Sequence, residues 1–384
     1  MDNLVTEVAS LNQTLRSLES EEQPDDKVIL TIAAAMLLAG IIHDEEVKNV
    51  CLPAEEELEE LGLLLWCIES QISQDRFSFD NLNEYESFYD KIYSPHFSDT
   101  EFYRILNGVL ASAISQKSVF ASSQLVALGL RSPNNLIRSC ALCSAIDLFD
   151  IKELDLFQRI GWFYGREVDE TTSQILASIV SRVFLHIPSA NNQTPFSITP
   201  SPSNVPNLLL IHGTVLPTKQ SNAPTWSVPN TGQLHNHLRS IRPDVYSQND
   251  YFRWEGGYTD YAREVASMNL NDWINARNLS GLDIIAHSHG CNVVMDALKN
   301  GTNIRNIIFL NCPVHWQKYS LHPLKFKDVN SIRIKFDFVI LADRGKQRFP
   351  KNTVTETILP FWFTSHSAAT KLKVWKSQNL DRFI

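Results

Sequence analysis

The feature that most constrains the fold is a series of short, almost wholly apolar runs in the C-terminal half, separated by stretches of helical spacing. NLLLIHG (207–213), LDIIAH (282–287) and IRNIIFLNC (304–312) are too short for stable helices and apolar at successive positions. Such runs predict strands buried on both faces, as in a parallel sheet. YFRW (251–254), SIRIKFDFVIL (331–341) and TETILPFWF (355–363) read as further strands. DYAREVASMNLNDWINAR (260–277) and NVVMDALKN (292–300) read as helices between them. Alternating strand and helix predicts an α/β domain over residues 207–384.

Residues 1–187 have a different texture. Apolar side chains recur every three or four positions in 56–72, 102–114, 123–131, 136–150, 152–165 and 170–187, so this half reads as all helix. Ser132-Pro133-Asn134-Asn135 supplies a turn and a cap. Paired helices of this kind are loosely similar to HEAT-type repeats, with an irregular bundle as the alternative. Between the halves, 188–206 holds five Pro among many Ser, Asn and Thr, which neither helix nor central strand tolerates. The organisation expected is therefore a helical domain (1–187), a linker (188–206) and an α/β domain (207–384).

Charge follows the same division. The net −9 splits into −17 over residues 1–206 and +8 over 207–384, as two modules with separate solvated surfaces would give. The basic half lacks the aromatic and Gly-rich patterning of a nucleic-acid binder, so no nucleic-acid partner is expected. With 43% apolar residues the chain has material for real cores, which excludes wholesale disorder.

The start, MDNLVTEVASLNQTL, lacks the basic and apolar regions of a signal peptide. VILTIAAAMLLAGII (28–42) falls short of the roughly 20 residues that span a bilayer and reads as a core helix. Six Cys (51, 67, 140, 143, 291, 312) are too few for a disulfide framework. Cys140 and Cys143 form a C-x-x-C with no second pair, which reads as buried thiols rather than a zinc site. A chain with no transmembrane segment and a cytoplasmic location is the expectation.

LDIIAHSHGCNVVMDAL (282–298) carries the chemistry. An apolar strand runs into Ala286-His287-Ser288-His289-Gly290 and directly out into a helix. A nucleophile on such a turn needs small neighbours two residues before and after it, and Ala286 and Gly290 supply them. The helix that follows aims its free N-terminal N–H groups at oxygen charge developing beside Ser288.

The segment IIAHSHGCNVV resembles the nucleophile elbow of esterase and lipase-like members of the α/β-hydrolase superfamily, though Ala286 replaces the commoner Gly. The resemblance covers 207–384. NLLLIHGT (207–214) is similar to that superfamily's strand and His-Gly loop, which implies an oxyanion hole from the backbone N–H of Thr214, or its neighbour Val215, together with that of His289. His212 and Gly213 would order this loop. FRWEGGYTDYAREVA (252–266) is similar to the following strand and helix. The superfamily's chain order, nucleophile then acid then histidine, implies that the acid and histidine lie downstream. FTSHSAATKLKVW (363–375) is similar to the histidine segment, and His366 is the sole His beyond residue 322. For the acid, Asp343 is expected just past the end of the 331–341 strand; Asp337 is the rival within that run.

The resemblance implies a Ser288–His366–Asp343 triad cleaving a carboxylic ester, lipid esters included, through an acyl-enzyme, with no metal or cofactor. His287 and His289 are expected to pack rather than to bind metal, and His235 and His237 to lie on a partly exposed helix or loop rather than at a metal site. Arg344, Lys346 and Arg348 are expected on a solvated face. The long stretch between Gly213 and Tyr251 would shape the substrate site, with Trp226 as a wall, and the helical half would roof it or recruit a protein partner. Two alternatives remain: a helical scaffold whose hydrolase-like half is a sensor or inactive, and an acyltransferase.

Overall fold

The computed structural model describes residues 33–34, 36–40, 122–123, 125–126, 129–130, 134–148, 169–183, 207–215, 225–321, 328–363 and 366–384. The helices expected at 56–72, 102–114 and 152–165 and the linker 188–206 lie outside them. The chain falls into two compact units, Gln23–Ile179 and one that includes Val180–Ile384.

In the first unit, α1 (Asn135–Leu148) starts where the Ser-Pro-Asn-Asn turn predicts. Asn134 Oδ1 accepts the N–H groups of Leu136 (2.9 Å) and Ile137 (3.2 Å), a side-chain cap for donors the helix leaves unpaired. Its Cys140 and Cys143 are buried. Ser144 donates its hydroxyl to the Met36 carbonyl, so α1 meets the buried helical residues 33–34 and 36–40 through a polar contact. α2 (Glu170–Val183) is capped in the same manner by Asp169, whose Oδ1 accepts Thr172 N–H at 2.9 Å.

The second unit is an α/β layer structure. Its five strands are β1 (Leu208–Ile211), β2 (Leu282–His287), β3 (Ile304–Leu310), β4 (Asp328–Asp337) and β5 (Thr355–Phe363). They lie side by side in chain order and every pairing is parallel. The helices are α3 (Gln233–Ile241), α4 (Asp260–Ala276), α5 (His289–Lys299), α6 (Phe338–Ala342) and α7 (Leu372–Ser377).

Strand alternation divides the apolar side chains between two layers. Leu209, Ile211, Ile284 and Phe309 pack with Leu270 and Trp273 of α4 and Val294 of α5. Leu208, Leu210, Ile285 and Ile332 pack with Leu234 and Leu238 of α3 and Trp375 of α7. Each fully buried side chain of this size contributes roughly 1.5–3 kcal/mol, which is why runs of consecutive apolar residues mark these strands.

Two expectations, for 251–254 and for 331–341, need correction. Residues 251–254 form no strand; the neighbour of β1 on that side is a single parallel bridge, Leu208 to Val245. Between Gly213 and Tyr251 the described residues include α3 and a short 3₁₀ turn, Thr225–Ser227. The 331–341 run is not one strand, because β4 stops at Asp337 and α6 begins at the next residue. On β5, Pro360 sits at an edge, beside a register shift opposite Ile334 and Phe336, where its missing N–H breaks no inner ladder.

At the N-terminal end of β2, buried Asp283 accepts hydrogen bonds from Arg242, Arg305 and Asn306, fixing the strand there. Ser288 follows the opposite end. Among the described residues no helix is long and apolar enough to cross a membrane.

Candidate active site

β2 ends at His287, Ser288 follows, and α5 begins at His289, so the hydroxyl stands at a one-residue corner between strand and helix. Ser288 has φ 53° and ψ −134°, a region that costs a non-glycine residue of order 1–3 kcal/mol. Close packing enforces the corner. A Cβ on Gly290 would lie 2.4 Å from the His212 carbonyl oxygen, and one on Gly213 would lie 2.6 Å from Ser288 Cβ. Ala286 is fully buried between Ile211 of β1 and Phe309 of β3 in the ladder.

The side chains meet in a line. His366 Nε2 is 2.9 Å from Ser288 Oγ, and His366 Nδ1 is 2.7 Å from Asp337 Oδ2. All three residues are buried. Asp337 is held by its place in the fold: its Oδ1 accepts the N–H groups of Val339 (2.9 Å) and Ile340 (3.3 Å), capping α6, and its own N–H donates to Gln347 Oε1 at 2.8 Å. One carboxylate oxygen thus fixes the side chain while the other faces the imidazole.

The carboxylate that meets His366 is thus Asp337, and not Asp343, where it was expected. Asp343 lies at the far end of α6 and contacts His315 Nε2 (2.6 Å) and His289 Nε2 (3.2 Å) instead. A signal was present in the sequence. Ile332, Ile334 and Phe336 alternate with Arg333 and Lys335, but from Phe338 to Ala342 the residues are apolar without alternation. Asp337 stands at that break, and Asp is a preferred helix cap.

Thr214 and Val215, the two residues expected to offer an N–H beside Ser288, differ in their hydrogen bonding. Val215 N–H donates to the Gly256 carbonyl at 3.0 Å, so it is committed elsewhere. Thr214 directly follows Gly213, which abuts Ser288, and its Oγ1 is buried with no partner among the described residues. His289 supplies the first N–H of α5, where donors lack intrahelical partners.

His212 stacks on Trp254 (5.8 Å between ring centroids), its Nδ1 donates to the Gly213 carbonyl at 2.7 Å, and its own carbonyl accepts Trp254 Nε1–H at 2.8 Å. Burial lowers His212 to about 4 and His289 to about 4, and burial beside His366 lowers His287 to about 3. These three imidazoles are neutral at neutral pH. Trp226 is buried and meets the His287 ring edge-on, so it supports the elbow. His235 and His237, on α3, contact the Tyr246 carbonyl and the Asp381 carboxylate. The basic run is not a solvated face: Arg344 is buried, with its Nη1 on the Leu341 carbonyl, and Lys346 and Arg348 are partly buried.

Beside the elbow, His289, His315 and Asp343 bring three ligand-type atoms within 4.8 Å of one another. Two imidazoles and a carboxylate are a donor set zinc accepts. Here a cationic group already stands among them: buried Arg263 places Nη2 3.2 Å from His289 Nε2 and is itself anchored by Asp260 and the Tyr258 carbonyl. Burial alone would raise the Asp343 carboxyl, but its contacts with His289 and His315 hold it well below the usual carboxylate range. We read the cluster as a charge-balanced polar network that fixes the His289 side chain. The sequence reading did not anticipate Arg263 or His315.

No family model matches the chain, and no curated protein matches it. Among solved structures it is similar to an uncharacterized protein from Bacillus cereus ATCC 10987, at 11% identity over 86% of this chain and 99% of that one, with a TM-score of 0.27. A likeness that slight carries no argument about function.

Proposed function

We propose that the chain is a serine hydrolase that cleaves a carboxylic ester through an acyl-enzyme, with Ser288 as nucleophile, His366 as general base and Asp337 as the acid. The observation that carries the reading is the unbroken line from Ser288 Oγ through both ring nitrogens of His366 to Asp337, at 2.9 Å and 2.7 Å. A serine hydroxyl is a weak nucleophile at neutral pH until a base within hydrogen-bond reach takes its proton. Nε2 of His366 is within that reach. With Nδ1–H donated to Asp337, the ring keeps the tautomer that leaves Nε2 free to accept.

Ser288 Oγ would attack the acyl carbonyl as its proton passes to Nε2. The backbone N–H groups of Thr214 and His289 would receive the oxyanion; one such donor is worth roughly 10²–10³ in turnover. His366 would then protonate the departing alkoxide and, in the second half, deprotonate the water that releases the acid. The strained φ of Ser288 supports the same reading, because the fold holds the hydroxyl at a corner that costs free energy.

Treatment of the purified chain with a fluorophosphonate probe tests it. Labelling of the wild type that disappears in Ser288→Ala is expected. A folded wild type that takes no label would overturn the proposal in favour of a sensor or scaffold.

A further inference from the structure

Ser288, Asp337 and His366 belong to three separate segments, and the hydrogen bonds that hold those segments meet at the end of β3. The Leu310 carbonyl accepts Ser288 N–H at 2.9 Å. The next residue, Asn311, is wholly buried with a positive φ of 45°. Its N–H donates to the Ile332 carbonyl (2.8 Å) and its Oδ1 accepts Ile334 N–H (2.9 Å), so it grips β4 three residues before Asp337. Its Nδ2 donates to the carbonyl oxygen of His366. His287 Nε2 reaches that same oxygen at 3.1 Å.

We infer that Asn311 is a positioning residue, which with His287 clamps the His366 carbonyl and so sets the imidazole between Ser288 and Asp337. The inference rests on the serine-hydrolase reading above and adds residues that act through His366 rather than on substrate.

The chemistry of the amide explains the choice of residue. Asn offers an acceptor and a donor on one rigid plane, so a single side chain can bind β4 on one edge and the histidine segment on the other. It also tolerates a left-handed backbone better than most residues. Two donors converging on one carbonyl fill both of its lone pairs and fix the peptide plane from which the imidazole projects. A reacting group misplaced by about 1 Å can lose 10²-fold in rate, so this clamp bears on kcat more than on binding.

The test compares wild type, Asn311→Gly, His287→Gln and His287→Leu in hydrolysis of p-nitrophenyl butyrate and in the rate of fluorophosphonate labelling, with folding followed by circular dichroism. Glycine accepts the positive φ and deletes both amide contacts. Asn311→Gly is expected to lower kcat and the labelling rate by roughly 10²-fold with little change in KM. His287→Gln, which keeps an N–H in place, should lose far less than His287→Leu.

A folded Asn311→Gly with wild-type kcat overturns the inference while the hydrolase reading stands. If Asn311→Gly does not fold, the His287 pair decides: equal losses in His287→Gln and His287→Leu overturn the clamp. A wild type that neither turns over nor labels removes the hydrolase reading itself, and the inference with it.

Discussion

Nδ1 of His366 lies 2.7 Å from Oδ2 of Asp337, the last residue of β4 and the cap of α6. Asp343, six positions later, bonds to His315 and His289 instead. The two carboxylates therefore have separable jobs. Asp337→Asn should lower kcat by roughly 10⁴-fold with the fold retained, because the ring then loses its preferred tautomer and its counter-charge. Asp343→Asn should cost stability and much less turnover. Steady-state ester hydrolysis on both variants checks this, and equal kcat losses would return the acid to an open question.

The corner at Ser288 depends on the absence of two side chains. In Gly290→Ala the added methyl would lie 2.4 Å from the His212 carbonyl oxygen, a main-chain atom that cannot turn aside. Overpacking of this kind costs about 1–3 kcal/mol, and relief requires the loop that carries His212 and Gly213 to retreat from Ser288. A lower Tm together with slower fluorophosphonate labelling is expected. Unchanged labelling would show that the loop does not set the site.

His212 and His289 are lowered to about 4 and His287 to about 3 by burial, against 6.5 for an ordinary imidazole. In the unfolded chain each regains the ordinary value, so between pH 6.5 and these lower values the unfolded state binds more protons than the native one. Stability then falls as pH falls through that window. Asp343, held low, adds its loss only below the ordinary carboxylate range. Calorimetry should show Tm declining from pH 7.5 to pH 5, above the range where carboxylates titrate. A flat Tm over that interval would mean that these rings are hydrated.

How much of this was legible in sequence follows from what each feature depends on. β2 and the corner at Ser288 were readable because local constraints determine them: a doubly buried run, small residues at Ala286 and Gly290, and a helix starting at once. Leu282–His287 matches the expected range. Asp337 was misread because apolar composition hides the switch from a strand to a five-residue helix, and the alternation that distinguishes them ends in one residue. Asn311 left no sequence signal beyond its place after a strand, because its role comes from three segments that only tertiary structure brings together. Arg263 and His315 were missed for the same reason. Their contact with His289 or Asp343 is made across elements 26 and 28 residues apart.

The Arg263 guanidinium, 3.2 Å from His289 Nε2, gives the last prediction. Asp343 needs positive or proton-donating neighbours, and His289 and His315 meet that need without an ion. A dication placed at His289 Nε2, at the usual zinc–nitrogen distance of about 2.0–2.1 Å, would lie against this cation. Zinc should therefore leave the wild-type Tm unchanged. In Arg263→Met the repulsion is gone while two imidazoles and a carboxylate remain within 4.8 Å, so zinc should raise the Tm of that variant above its own metal-free value. Thermal unfolding of both proteins with EDTA and with micromolar zinc separates the cases. A zinc-dependent rise in the wild type would show that the guanidinium yields its place, and that the cluster is a metal site beside the nucleophile.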